Sequence, residues 1–452
     1  MINKNIFRGY DIRGVYKTDI DANVATTIGA SFGTYIKKLG KTNCVVGHDN
    51  RYSSEELTNA LIKGIRSTGV NVTYLGLVTT PMYYFGCLFQ KIDSGIMVTA
   101  SHNPKDDNGF KIAFTDYLNA KGKEIEDFRD FTLLGKFDKG NGQLKEINIK
   151  EDYFKLIESS INIGARKLKV IVDCANATTS YFAKELYSKF NIDLEMLFDL
   201  PDSNFPNHHP DPCVTENMEI LKKKVIEGHF DLGIAFDGDG DRVGIVTEKG
   251  EHIGIDKVMI IIARDLIPKN KDKRFLFDVK CSKALEDEII KLKGIPIQYR
   301  TGNSYLKNKI KLDNIPFGGE YSGHLFFNDK FPGFDSGMYA GLRIIEILSK
   351  TDKKLSNLLD GINEYYSTPE LKFNSTDTLK FEVIEKIKEN YKNALTLDGL
   401  KVVYDDGFAL VRVSNTGPVI TARFEAKTKE RLNEIQTEFT NLINKYNKKR
   451  QI

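Results

Sequence analysis

The chain has 452 residues, 41% of them hydrophobic and 28% charged, a globular composition with room for about three domains. Its 65 basic and 62 acidic residues leave a net charge of +3, which gives no footing for nucleic acid or a membrane surface as main partner. The five cysteines, at 44, 87, 174, 213 and 281, are too scattered for a CxxC metal site or a disulfide framework and fit free thiols in a cytoplasmic protein.

The opening MINKNIFRGYDIRG meets charge by its fourth residue and reads as no secretory leader. NCVVGHD is the first apolar run that reads as a buried strand, and SSEELTNALIKGIRSTG after it reads as a helix whose first serines cap its start. SGIMVTAS is the next strand. The polar stretch KFDKGNGQLKEINIKED places a domain break near residue 147. LKVIVDCAN and DLGIAFDGD are further strands, and the turn EKGEH places a second break near 250. VMIIIA, the longest apolar stretch, is far too short to cross a bilayer. RFLFDVKCS repeats the strand pattern, and SKTDKKLSNLLDGINEYYSTPE leads into a final unit after about 365. There LDGLKVVYDDGFALVRVSN reads as antiparallel strands before a terminal helix, whose basic tail NKYNKKRQI is a solvated helix end. Continuous apolar strands alternating with helices predict mainly parallel sheets covered on both faces. Ligands gather beyond the carboxyl ends of such strands, where the polar residues of these runs stand.

Four motifs carry chemistry. DGDGDR, residues 237–242, directly follows the strand LGIAF. Asp237, Asp239 and Asp241 alternate with glycines that let the backbone bend, so their oxygens can converge on one hard cation, magnesium or calcium rather than zinc. An EF-hand is excluded, because Arg242 stands where that loop needs glycine, although Glu248 falls at its twelfth position. In TASHNPKDDNGFKI, Ser101 sits where a strand gives way to a loop, either as a turn residue or as a reacting group. In an extended chain His102 points to the opposite face and is poorly placed to deprotonate it, and no GxSxG elbow surrounds it. Lys111 can return to the same place. In GGEYSGH, Glu320, Ser322 and His324 alternate and would share one face of an extended segment, a set suited to vicinal sugar hydroxyls, or else form an ordinary glycine-rich loop. In RVSNTGPVITAR, small polar residues with Arg412 and Arg423 suit a phosphate, or else make a plain hairpin turn.

FRGYDIRG, TASHNP, DGDGDR, GGEYSGH and RVSNTGP, in that order, resemble the α-D-phosphohexomutase family almost end to end. FDVKCS, SNTGPVITARFEA and GGEYSGHLFFNDKFPGFDSG are most similar to its bacterial phosphomannomutase/phosphoglucomutase members. The resemblance implies three similar, mixed or mainly parallel α/β domains and a smaller α+β C-terminal domain around a central cleft. With the breaks above, these are 1–147, 148–250, 251–364 and 365–452. It implies that Ser101 carries a phosphoryl group and that Asp237, Asp239 and Asp241 hold Mg2+ with a phosphoserine oxygen. Glu320 and Ser322, helped by Lys280, would grip sugar hydroxyls, while Arg412, Ser414, Asn415 and Thr416 would hold the phosphate not being transferred, with Arg423 a further substrate-binding candidate. Tyr10, Arg13, Lys111, Arg242 and His324 match positions near the reacting groups.

The implied activity is reversible phosphoryl transfer between the 1- and 6-positions of glucose or mannose phosphates, with a hexose 1,6-bisphosphate as intermediate and activator, in a cytoplasmic monomer or homodimer. Phosphoglucosamine mutase, a sugar-phosphate binding protein and a phosphatase are the competing readings. Two departures stand out: Asn303 occupies a position where the mannomutase-like group often has histidine, and Val413 and Gly417 occupy variable positions of the phosphate loop.

Overall fold

The alternation of apolar runs and amphipathic segments produces layered α/β structure in the computed structural model, which describes residues 2–414 and 417–447. The first sheet has β1 (Ile12–Val15), β2 (Asn43–His48), β3 (Asn71–Leu77), β4 (Gly95–Val98), β5 (Asp107–Ala113) and β6 (Leu144–Glu146), in the order β1-β5-β4-β2-β3-β6. β2 runs parallel to β3 and β4, whereas β5 returns antiparallel to β4, pairing Met97 with Lys111. That return brings Lys111 back beside the strand that delivers Ser101.

Helices Ala22–Lys38 and Ser54–Arg66 cover one face, interleaving Ile28, Phe32 and Ile36 with Leu57, Leu61 and Ile65 in a core where each such side chain contributes roughly 1.5–3 kcal/mol. They cross closely through glycine: a Cβ on Gly64 would lie 2.1 Å from the Thr26 carbonyl oxygen. The expected serine cap of the second helix does not form. Ser53 makes no capping bond, and Asn108 Nδ2 donates to the hydroxyls of Ser53 (2.8 Å) and Ser54 (3.0 Å) instead.

The second sheet contains β7 (Lys169–Asp173), β8 (Asp193–Leu197), β9 (Leu232–Phe236), β10 (Val243–Thr247) and β11 (His252–Ile253), in the order β11-β10-β9-β7-β8. β9 is wholly buried and ends at Phe236, so DGDGDR forms the connection from β9 to antiparallel β10. The EKGEH turn lies between β10 and β11, which closes the edge of this sheet. Helix Gly337–Ser349 packs against β9 and β10, with Gly337 N–H donating to the Gly240 carbonyl at 2.9 Å.

These two sheets belong to one unit, comprising Met1–Ile255, Lys307–Asn314 and Ser322–Leu358; the second comprises Asp256–Leu306, Ile315–Tyr321 and Leu359–Ile452. In the second unit, strand Arg274–Asp278 lies parallel to both Ile295–Tyr299 and Phe317–Gly319. Its C-terminal part is an antiparallel sheet in which Gly407–Val413 pairs with Leu400–Tyr404 and Val419–Ala426. Helices Leu379–Lys388 and Lys429–Tyr446 close the core of that part through Val383, Ile387, Ile435, Phe439 and Ile443. Among the described residues no helix is long and apolar enough to cross a membrane.

Candidate active site

The first unit joins the carboxyl ends of β4 and β9. Ser101 follows β4 and is 3% exposed, and its hydroxyl donates to Asp237 Oδ2 at 2.8 Å, a contact across 136 positions of sequence. A β-region backbone at Ser101 would carry the strand onward. Instead its φ is +50°, a left-handed conformation that turns the chain sharply. The expectation that His102 points away therefore fails: its Nδ1 lies 3.3 Å from Ser101 Oγ. Burial, with Arg242 and Arg13 nearby, holds His102 well below its ordinary pKa.

Asp237, Asp239 and Asp241 are fully buried, and each offers a carboxylate oxygen within 4.8 Å of the others. Gly238 has no room for a side chain, since a Cβ there would lie 2.3 Å from the Ser101 carbonyl oxygen. Lys111 Nζ donates to Asp239 Oδ2 and Asp241 Oδ2, both at 2.7 Å. Thr80 holds Asp239 further, through its hydroxyl at 2.6 Å and through its N–H on the Asp239 carbonyl at 2.9 Å. Burial pushes all three carboxyls upward, but the ammonium is not shared equally. It holds Asp239 and Asp241 below the usual range, whereas Asp237, raised by burial and by its two neighbours, stays well above it. Lys111 in turn is held well above its ordinary value, because the paired carboxylates outweigh its burial.

Arg242 N–H donates to Asp237 Oδ1 at 3.1 Å, and its Nε to His324 Nε2 at 3.0 Å. The other nitrogen of His324, Nδ1, lies 2.8 Å from Asp335 Oδ2 and 3.4 Å from Asp241 Oδ1. Lys307 Nζ stands 3.6 Å from Asp335 Oδ1 and 3.5 Å over the Tyr84 ring, and burial lowers its pKa to about 8. Arg13 joins the loop side: it donates to Asn103 Oδ1 and to Asp11 Oδ2, both at 2.6 Å. Tyr10 lies in the bend that leads into β1.

Gly318 and Gly319 end the strand Phe317–Gly319 and the chain turns at residues 321–323, with Gly323 at φ +99°, so the alternation expected for an extended run does not apply. Ser322 and His324 belong to the first unit and Glu320 to the second. Also in the second unit, Tyr321 N–H donates to Asp278 Oδ1 at 3.2 Å, and Asp278 Oδ2 accepts from the Thr301 hydroxyl at 3.0 Å, two residues before Asn303. Arg423 donates to the Lys280 carbonyl and lies 4.2 Å over the Tyr321 ring. Its guanidinium thus braces two loops. Arg412 is oriented by Asp398 Oδ2, at 2.6 Å from Nη2 and 2.9 Å from Nε. Ser414 N–H donates to the Val419 carbonyl at 2.8 Å; Asn415 and Thr416 lie outside the described residues.

Thr80, Asn103, Lys307 and Asp335 are site residues that the sequence does not single out, and His102 is one that it sets aside. Thr80 had a legible signal in TTP at a helix start, but nothing in the sequence joins that helix to a loop 159 positions away.

The donor set fits a hard divalent cation: three carboxylates face one point, and the Oδ1 atoms of Asp239 and Asp241 are buried without a hydrogen-bond partner. Asp241, His324 and Asp335 also converge, but there Lys307 and Arg242 already supply positive charge.

A serine held on a carboxylate triad, with buried cations around it, at the strand ends of an α/β fold suits an enzyme that moves a phosphoryl group. The comparisons agree. Family models for phosphoglucomutase/phosphomannomutase α/β/α domains I, II and III match residues 4–132, 151–250 and 255–365, and the C-terminal domain model matches 370–442. The chain belongs to the phosphoglucomutase/phosphomannomutase family. It is 39% identical over 438 residues to a phosphomannomutase/phosphoglucomutase of Pseudomonas syringae, covering 96% of this chain and 94% of that one. It is 36% identical to a phosphoglucomutase of Neisseria gonorrhoeae, covering 98% and 97%. A crystal structure of a family protein from Burkholderia thailandensis superposes with a TM-score of 0.93 at 37% identity, over 99% of this chain and 98% of that one.

Proposed function

We propose that this hexose phosphate mutase interconverts the 1- and 6-phosphates of glucose and mannose through a phosphoryl group carried on Ser101, with a hexose 1,6-bisphosphate as intermediate and activator. The observation that carries the reading is the 2.8 Å contact between Ser101 Oγ and Asp237 Oδ2 inside the buried triad. Phosphoryl transfer demands placement and charge neutralisation more than a strong nucleophile. Asp237, Asp239 and Asp241, with a phosphoserine oxygen, would hold Mg2+, which supplies charge neutralisation when bound. Lys111 and Arg242 are the protein's own cations beside the same group.

In the first half-reaction a hydroxyl of the sugar monophosphate attacks phosphorus and the phosphorus–Oγ bond breaks. The hydroxyl proton passes to the His324 imidazole, which Asp335 orients through Nδ1, as Arg242 turns from His324 toward the phosphoryl group. The bisphosphate then presents its other phosphate, and the same steps in reverse restore phospho-Ser101. Glu320, Ser322 and Lys280 take sugar hydroxyls. Arg412, with the Ser414, Asn415 and Thr416 loop, takes the phosphate that is not moving; Tyr10, Arg13 and Asn303 orient the substrate. We assign the reaction to the cytoplasm.

Intact-mass measurement of fresh protein tests the carrier: a phosphoryl adduct is expected, lost in Ser101→Ala together with at least about 10³-fold of kcat. Assays on glucose, mannose and glucosamine 1-phosphates, each with a trace of bisphosphate, set the sugar. Turnover confined to glucosamine 1-phosphate, or steady release of inorganic phosphate without isomer, overturns the assignment.

A further inference from the structure

Arg51, in the stretch HDNRYSS after β2, touches none of the reacting groups, yet it organises the loop that presents one of them. It is 3% exposed, and its guanidinium is spent on main-chain carbonyls of that single loop. Nη2 donates to the carbonyls of Ser101 and Asn103, both at 2.7 Å. Nη1 donates to Pro104 at 2.6 Å and Asp107 at 3.0 Å. The remaining nitrogen, Nε, lies 3.3 Å from Asp49 Oδ2, and Asp49 also accepts the Arg51 N–H and the Ser54 hydroxyl through Oδ1.

Four carbonyl oxygens converging on one point repel each other and need donors spread across a plane. Guanidinium supplies that fork, while an ammonium offers only a compact point charge. Burying a charged side chain is expensive, and so is holding Ser101, which has a Cβ, at φ +50°. A turn that only had to reverse the chain would need neither. The Ser101 carbonyl is fixed twice over, by Arg51 on one side and by the bare Cα of Gly238 on the other.

We propose that Arg51 is a positioning residue for phosphoryl transfer: by gathering the carbonyls of residues 101, 103, 104 and 107 it sets where Ser101 Oγ stands against the aspartate triad. The inference rests on Ser101 being the phosphoryl carrier. Arg51 acts only through the loop, so its loss slows transfer while hexose phosphate binding, which uses other residues, persists.

The test is Arg51→Lys, which keeps the charge and loses the fork. Full-length protein is phosphorylated with hexose 1,6-bisphosphate, its phosphoserine content is measured by intact mass, and transfer to hexose 6-phosphate is followed in a single turnover. Rates are expressed per phosphorylated molecule, so misfolded protein does not count. The expected result is a loss of about 10²-fold in kcat and in the single-turnover rate, with KM changed by less than about threefold. If Arg51→Lys does not fold, Asp49→Asn, which leaves the fork but frees Nε, should fold and show a smaller loss of about tenfold in the same rate. Transfer at the unsubstituted rate per phosphorylated molecule, in whichever variant folds, overturns the proposal and leaves the carrier role of Ser101 standing. Absence of phosphoserine from the unsubstituted protein overturns both.

Discussion

Ser101 shows how much one backbone angle can hide. Its place after SGIMV and before Asn103-Pro104 is legible in the residues, because a buried strand stops and turn formers begin. The side on which His102 stands is not, since that depends on a φ of +50° imposed by contacts from Arg51 and Gly238, 50 and 137 positions away. The triad was easier to read: DGDGDR carries its ligand chemistry within six residues and needs only a turn to express it. Gly238 offers a direct check on the close approach of the two loops. Gly238→Ala must push the Ser101 carbonyl away, and kcat should fall by about tenfold or more with KM little changed. Thermal melting alongside steady-state kinetics separates that loss from an overpacking penalty of about 1–3 kcal/mol.

At the level of elements, periodicity located strands and helices well, and local capping and alternation less well. The serines ahead of helix Ser54–Arg66 have the right identity for a cap, but Asn108 and Asp49 claim their hydroxyls. GGEYSGH has the alternation of a strand, yet only its two glycines belong to one and the chain turns after them. Strand Leu400–Tyr404 carries a charge that pattern alone would leave in solvent. Lys401 is buried, donates to the Val279 carbonyl at 2.8 Å and to Gln298 Oε1 at 3.1 Å, and burial lowers its pKa to about 8. The folded state therefore releases this proton before the unfolded one does. The resulting penalty is present in full below pH 8 and is relieved as pH rises toward the free-lysine value, so stability from this group climbs by about 3 kcal/mol across that window. Denaturant unfolding at a series of pH values should show the rise, and Lys401→Met should flatten it.

Across the whole molecule, the groups assigned to carrying phosphate lie in one unit and most of those assigned to gripping substrate in the other. Tyr10, Arg13 and Ser322 are the substrate groups that fall in the first. Ser101, Lys111, the three aspartates, Arg242 and His324 fall in the first, and Lys280, Glu320, Arg412 and Ser414 in the second. Five ordered motifs made the family legible. What they could not carry is the bracing between them, such as Asp398 under Arg412 or Arg423 against Lys280 and Tyr321, because those contacts join positions with no local pattern in common. The separation makes a kinetic prediction. Arg412→Ala should raise KM for hexose phosphates by about 10- to 100-fold, the worth of a charge-assisted hydrogen bond, while intact mass shows the same phosphoserine content.

The contact from Ser101 to Asp237 also has a meaning for the chain during synthesis. A ribosome moving at about 5–20 residues per second releases the serine well before its aspartate partner, and His324 and Asp335 later still. A nascent chain that has folded only its first sheet holds the serine loop and His102 without the aspartate triad, His324 or Asp335. On the proposed carrier role of Ser101, transfer through this loop waits until the last of these groups has emerged and packed.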